Sequence, residues 1–216
     1  LKRFLFPQIL KFKLVLFFLL IVHCSIAQKQ TEKQWNAQKI KKVDIDGEGI
    51  FKINIKNSES NTIDLLVKFE GEHSENLVII DSINQDILRL STDFQPLFKA
   101  DNDKLSAHKV LSVELQLSIP KHIDLNIKSD IAQTKIEGQF PNVFIELKTG
   151  NCTLDPFFGN ATINTINGTI NIKTNNAKTI AKSKTGIVDV VQFKLALHQL
   201  NLQTVNGNIN VSKFKK

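Results

Sequence analysis

From Val43 onward, apolar and polar residues alternate with a period of two. Ile63, Leu65, Val67 and Phe69 share one parity, and Leu111, Val113, Leu115, Leu117 and Ile119 alternate strictly. Pro120 ends that run, because proline has no N–H to give to a ladder; Ile123, Leu125 and Ile127 resume it. Leu77–Ile80 and Ile87–Leu90 are short apolar runs between polar turns at 57–62, 71–76 and 82–86. A period of two puts successive side chains on opposite sides of a pleated strand, so the pattern predicts half-buried strands and an all-β fold. The longest irregular stretch, 92–108, is expected as a loop.

A second pattern lies over the first. Leu147-Lys-Thr-Gly-Asn-Cys-Thr-Leu154 matches phrases beginning at Ile163, Ala181 and Leu202, with a degenerate copy from Ile127, at a period of roughly 16 to 21 residues. Aligned by phrase, Leu147, Ile163, Ala181 and Leu202 form one apolar column, and Leu154, Ile170, Val188 and Ile209 another. Cys152, Gly168, Gly186 and Gly207 fall at a corner, where glycine permits positive φ. Asp155, Asn171, Asp189 and Asn210 stand outward between apolar columns. Asn-Gly at 167–168 and 206–207 is also a hairpin signal. Recurrence in register favours a coil. The expectation is an N-terminal strand-rich region (43–128) continuing into a parallel β-helix or β-solenoid (129–216), one continuous domain.

The N-terminus changes the reading of charge. Lys2, Arg3, Lys11 and Lys13 precede an apolar core, Leu14–Val22, and Cys24-Ser-Ile-Ala27 supplies small residues before a cut after Ala27. Residues 1–27 read as a signal peptide; a lipidated Cys24 or an uncleaved anchor are the other readings. Residues 28–42 read as a flexible polar linker, with Trp35 packing on the first strand. Removing the four basic residues of the signal lowers the net charge from +7 to +3. The basic pI thus belongs largely to the targeting segment, and nucleic-acid binding is not expected. Cys152 is then the sole thiol, so an intramolecular disulfide is excluded.

The run from Leu115 through Ile119-Pro120 to Ile127, then Ile136-Glu137-Gly138 and the Thr-x-Asn-Gly-x-Ile phrases, resembles a bacterial putative-adhesin family. It is similar to the head (GIN) domain of auto-transporter adhesins over roughly residues 43–213. The resemblance implies an exported, envelope-associated β-solenoid and supplies no catalytic residues. The signal ending Ser-Ile-Ala-Gln resembles those of the Bacteroidetes group.

Candidate chemistry is sparse. The Asp155, Asn171, Asp189 and Asn210 column could hydrogen-bond sugar hydroxyls or chelate calcium, or be a solvated face with stacked amides; two separated carboxylates make a poor cation cage. Asp101 and Asp103 lack the glycine and closing glutamate of a calcium loop. The histidines are scattered, no Gly-x-Ser-x-Gly elbow occurs, and Cys152 reads as a small buried corner residue. No cofactor, metal or catalytic residue is expected. The sequence points to a non-catalytic exported cell-envelope protein, adhesin-like, with a surface glycan, matrix or envelope protein as partner. It would sit in the periplasm, on the outer-membrane surface or outside the cell, meeting membrane only through export or an N-terminal anchor. A self-associating periplasmic scaffold and a carbohydrate-active enzyme are the rival readings.

Overall fold

A computed structural model of the protein describes residues 29–98 and 111–215. The expected export segment, with Cys24, lies outside the described residues, as does 99–110 of the expected loop. The described residues are all-β. The strands are β1 (Lys29–Asn36), β2 (Lys42–Asp46), β3 (Lys52–Ser58), β4 (Thr62–Gly71), β5 (Leu77–Asn84), β6 (Ile87–Phe94), β7 (Leu111–Pro120) and β8 (Asp124–Ser129). They continue as β9 (Gln133–Thr149), β10 (Cys152–Asn167), β11 (Ile170–Thr174), β12 (Ala177–Ser183), β13 (Val188–Val190), β14 (His198–Asn206) and β15 (Ile209–Lys213). Segment 29–36, read as tether, is strand β1, antiparallel to β4.

All strands join one sheet. One half runs β1-β4-β7-β3-β9-β10-β11-β15-β13, and the other runs β5-β6-β2-β8-β9-β10-β14-β12. The long β9 and β10 serve both halves by bending. Gly138 (φ 118°) and Gly159 (φ 150°) make those bends in backbone that side chains rarely adopt. Asn57 braces the first bend, donating from Nδ2 to Gln139 O at 2.9 Å and accepting from Gln139 N. The aliphatic face of the sheet turns inward around a core that runs from Ala37 to Val211. Burying each such side chain contributes about 1.5–3 kcal/mol.

This architecture corrects the solenoid expectation. The sheet is curled but open, a half-barrel wrapping 298° with edges 8 Å apart, not a closed parallel β-solenoid of repeating units. Pairing is antiparallel where β1, β4 and β5 join. In the C-terminal half the spatial order is not the chain order. β10 pairs with β14, 39 residues on, and β12 pairs only outside β14. The physical reason is size. Leu200, Leu202, Ile209 and Val211 are fully buried in the 198–213 row, whereas β12 offers Ala177, Thr179, Ala181 and Ser183 on its inward side. Large aliphatics gain most between two neighbours; small residues lose least at an edge. The first half repeats the device, because β2 inserts between β6 and β8, and β3 between β7 and β9.

The corner column also differs from the expected one. The register between β9 and β10 is 18 residues, pairing Leu147 with Thr165 and Ile145 with Ile163. Gly150, not Cys152, therefore holds the corner beside Gly168, Gly207 and Gly186. Cys152 lies inside, paired with Ile170 on one side and Thr134 on the other. The last three of these glycines do not have positive φ; close approach keeps them. A Cβ at Gly168 would stand 1.9 Å from Gly150 O, one at Gly207 2.0 Å from Gly168 O, and one at Gly186 1.8 Å from Gly207 O. Asn-Gly here crosses a corner and makes no hairpin.

Two expectations follow for urea unfolding. Gly168→Ala drives a methyl into a neighbouring carbonyl and is expected to cost about 3 kcal/mol or more. Leu202→Ala is expected to cost about 2–5 kcal/mol and Ile180→Ala less than about 0.5 kcal/mol. Equal losses at Leu202 and Ile180 would contradict the inward and outward faces assigned to β14 and β12.

Candidate functional site

The outward parity of one sheet half builds a polar grid. In register, Glu32 of β1 lies beside Leu66, then Gln116, Asn54 and Lys135 on successive strands. The column continues through Thr153, Asn171 and Asn210 to Asp189. A second column, two residues on, holds Gln34, Asp64, Ser118, Lys56 and Glu137. The second column, with the first as far as Lys135, lines an open groove of about 840 Å³ over β1, β4, β7, β3 and β9. Five strands at ~4.8 Å spacing make it about 20 Å long.

Electrostatics in the groove are mixed and locally neutralised. Lys135 meets Glu137 at 2.5 Å, and this carboxylate, as hydrogen-bond partner and as charge, raises the lysine's pKa. Lys52 lies 3.7 Å from Glu114, and Gln34 donates to Asp64 at 2.6 Å. Among the described residues, no three His, Cys, Asp or Glu side chains gather to hold a metal ion. A second groove of about 730 Å³ lies on the other half, with Asp46, Glu48, Asp130 and Glu146 interleaved with Lys128 and Lys148.

The structure places the sequence-derived column as follows. Asn210 Nδ2 donates to Asn171 Oδ1 at 2.9 Å, and Asp189 neighbours Asn210 in register at the sheet edge. Asp155 is not in that column. Thr153 takes its place, and Asp155 sits two residues on, paired with Lys173 at 2.7 Å. Phrase matching brought out Asn171, Asp189 and Asn210 but missed Glu32, Gln116, Asn54 and Lys135, which share the column without sharing a phrase. Strict alternation through Leu111–Ile119 marks Gln116 as outward; no signal in the sequence says which strand lies beside it. Cys152 is fully buried, and desolvation pushes its thiol pKa far up, so it stays protonated and unreactive.

One polar cluster is a clasp. Lys29 Nζ donates to Leu77 O at 2.7 Å and to Glu75 O at 2.9 Å. Lys33 bonds Ile79 O at 3.3 Å and pairs with the Asp81 carboxylate, which also accepts from Trp35 Nε1 at 2.9 Å. Side chains of β1 thus tie the edge of β5, and Trp35, expected to pack on the first strand, supplies one of the ties.

No family model and no curated protein sequence matches the chain. Solved structures do. A "putative cell adhesion protein" from Clostridium sporogenes superposes with a TM-score of 0.63 at 16% identity, covering 87% of this chain and 100% of its own. A "putative adhesin" from Bacteroides fragilis gives a TM-score of 0.40 at 12% identity, covering 85% and 97%. One from Parabacteroides merdae gives 0.34 at 12%, covering 87% and 97%. The first of these likenesses establishes a shared fold.

Burial raises the pKa of Asp81, but the bonds from Lys33 and Trp35 outweigh it and hold the carboxyl below its ordinary 3.8. A depressed folded pKa gives stability that is present above 3.8 and lost as pH falls through the lower folded value. Asp81→Asn is therefore expected to flatten the acid limb of stability below 3.8, read from urea midpoints against pH. An unchanged acid limb would remove Asp81 from the clasp's energetics.

Proposed function

We propose that this chain is a non-catalytic, exported binding module of the cell envelope, adhesin-like, whose polar groove takes an extended hydroxyl-rich ligand such as a surface glycan. The observation that carries the reading is the Gln116–Asn54–Lys135 column. It sets amide donors, amide acceptors and an ammonium at strand spacing on a rigid, open surface. Asn and Gln each offer two donors and an acceptor, which suits hydroxyls that both give and accept hydrogen bonds. The groove's openness favours a chain lying across strands over a small enclosed substrate. Engagement of Glu137 by Lys135 and of Asp64 by Gln34 favours binding over acid–base catalysis. The fold shared with the Clostridium sporogenes protein supports the same reading, because that protein is described in terms of cell adhesion.

The test is direct. The purified chain is applied to glycan and matrix arrays, and cells are shaved with protease to locate it. Binding at the cell surface is expected, with Gln116→Ala and Asn54→Ala each weakening it roughly tenfold at unchanged stability. No binding, or binding indifferent to both changes, would rule out this groove.

A further inference from the structure

The two ends of the sheet are built differently, and they are complementary. At the C-terminal end, among the described residues, β12 pairs only with β14 and β13 only with β15, so both present an outer edge that none of those residues pairs. Ile180 (54% exposed), Ile187 (72%), Val188, Val191, Leu195 and Leu197 (64%) crowd this end. At the opposite end, the strand edge at β5 and the turn after β6 expose Ile80, Ile83, Phe94 and Leu97. Elsewhere on the described surface, only Phe51, Ile131 and Ile166 are large exposed hydrophobics. Apolar surface gathered in patches marks contact sites.

Charge separates the same two ends. Residues 177–215 carry six lysines against Asp189 alone, a net +5. Residues 62–98 carry seven carboxylates against Lys68 and Arg89, a net −5, to which β1 adds only +1. Lys178, Lys182 and Lys184 are exposed along β12. Two copies meeting through their β12 edges would set lysines against lysines. A copy meeting the other end of its neighbour sets lysines against carboxylates and apolar surface against apolar surface. Strand direction agrees: β6, β2, β8, β9, β10, β14 and β12 run parallel, and β5 runs opposite to β6. In a head-to-tail stack the β12 edge therefore faces an antiparallel β5, whose carbonyls at Leu77 and Ile79 already accept from Lys29 and Lys33, so side chains carry the contact.

We propose that the chain associates with a second copy of itself head to tail, the basic β12–β13 end of one molecule docking on the acidic β4–β6 end of the next. Such a contact is heterologous, so each docking leaves a free end of each kind and growth continues. The proposal does not depend on the groove ligand, and the two can fail separately.

Sedimentation velocity and negative-stain imaging of the purified chain test it. In low salt, assemblies larger than a dimer are expected to grow with concentration, and about 0.5 M NaCl should weaken association at least tenfold. Lys178→Glu, Lys182→Glu and Lys184→Glu together remove the basic end; Glu70→Lys, Glu75→Lys and Asp93→Lys together remove the acidic end. Each triple variant alone should stay monomeric. Their mixture should regain assembly, because the native basic end of one meets the native acidic end of the other and the two reversed ends are again opposite in sign. Should either triple variant misfold, Ile187→Ser with Leu197→Ser at exposed positions gives the same reading of the C-terminal end. A wild-type chain that stays monomeric overturns the proposal, even if β12 then takes up an acidic foreign peptide. So does a symmetric dimer that either triple variant still forms.

Discussion

Lateral register between neighbouring strands is the constraint on which the rest of this structure depends. Side chains alternate with a period of two, so a slip of one residue would turn a row's aliphatics outward and its lysines into the core. Three kinds of contact hold the register. Glycine corners fit against neighbouring carbonyls too closely for any other residue. Hydroxyls reach corner carbonyls, Ser129 to Gly47 O and Ser183 to Gly207 O at 2.7 Å, and Thr204 to Gly168 O at 3.1 Å. Asparagines stack across rows, Asn206 to Asn167 at 2.8 Å and Asn160 to Asn142 at 3.2 Å. The same register that buries the core lines up the outer columns, so the groove is a consequence of how the sheet is pinned.

Local order was legible in the sequence, and neighbour relations were not. Strict alternation from Leu111 gave β7 nearly to its residue, and Pro120 marked its end. The repeated phrase aligned Gly168, Gly186 and Gly207, which approach one another's carbonyls in the sheet. It failed at Cys152 because the best phrase match, 16 residues, is two short of the true register. A shift of two keeps parity, so the error left every inward residue inward and passed unnoticed; it moved Leu147, Leu154, the corner and Asp155 out of their columns. The order of rows was invisible for another reason. Similar phrases make similar bends wherever they lie in space, and only the sizes of Ala177, Ala181, Leu200 and Leu202 show which segment belongs at the edge. β1 was hidden because its inward positions are Lys29, Thr31, Lys33 and Trp35, and three of these take partners 46 or 48 residues away.

The ends follow from the same physics. A curled sheet that stays open must do something with its outermost strands, since unpaired N–H and C=O groups invite pairing. One end answers with antiparallel strands and with lysine ammonium groups placed on the carbonyls of Leu77 and Ile79. The other end uses small inward residues and outward lysines. Lysine on an edge strand blocks pairing with a copy of the same edge. It does not block a carboxylate-rich surface, so the residues that prevent one contact select the other.

Face and ends are free to change independently of the core, which bears on what a shared fold can mean. The inward columns tolerate aliphatic exchange provided size and parity persist, and 16% identity with a TM-score of 0.63 is what such tolerance allows. Outward positions, the stacked asparagines aside, answer to no requirement of core packing. Gln116, Asn54 and Lys135 could each be replaced without moving a strand, so likeness of fold transmits the groove's shape but not its chemistry. What this protein recognises must therefore be sought in the outward parity of its strands, where selection for stability leaves most residues unconstrained and selection for a ligand would be written.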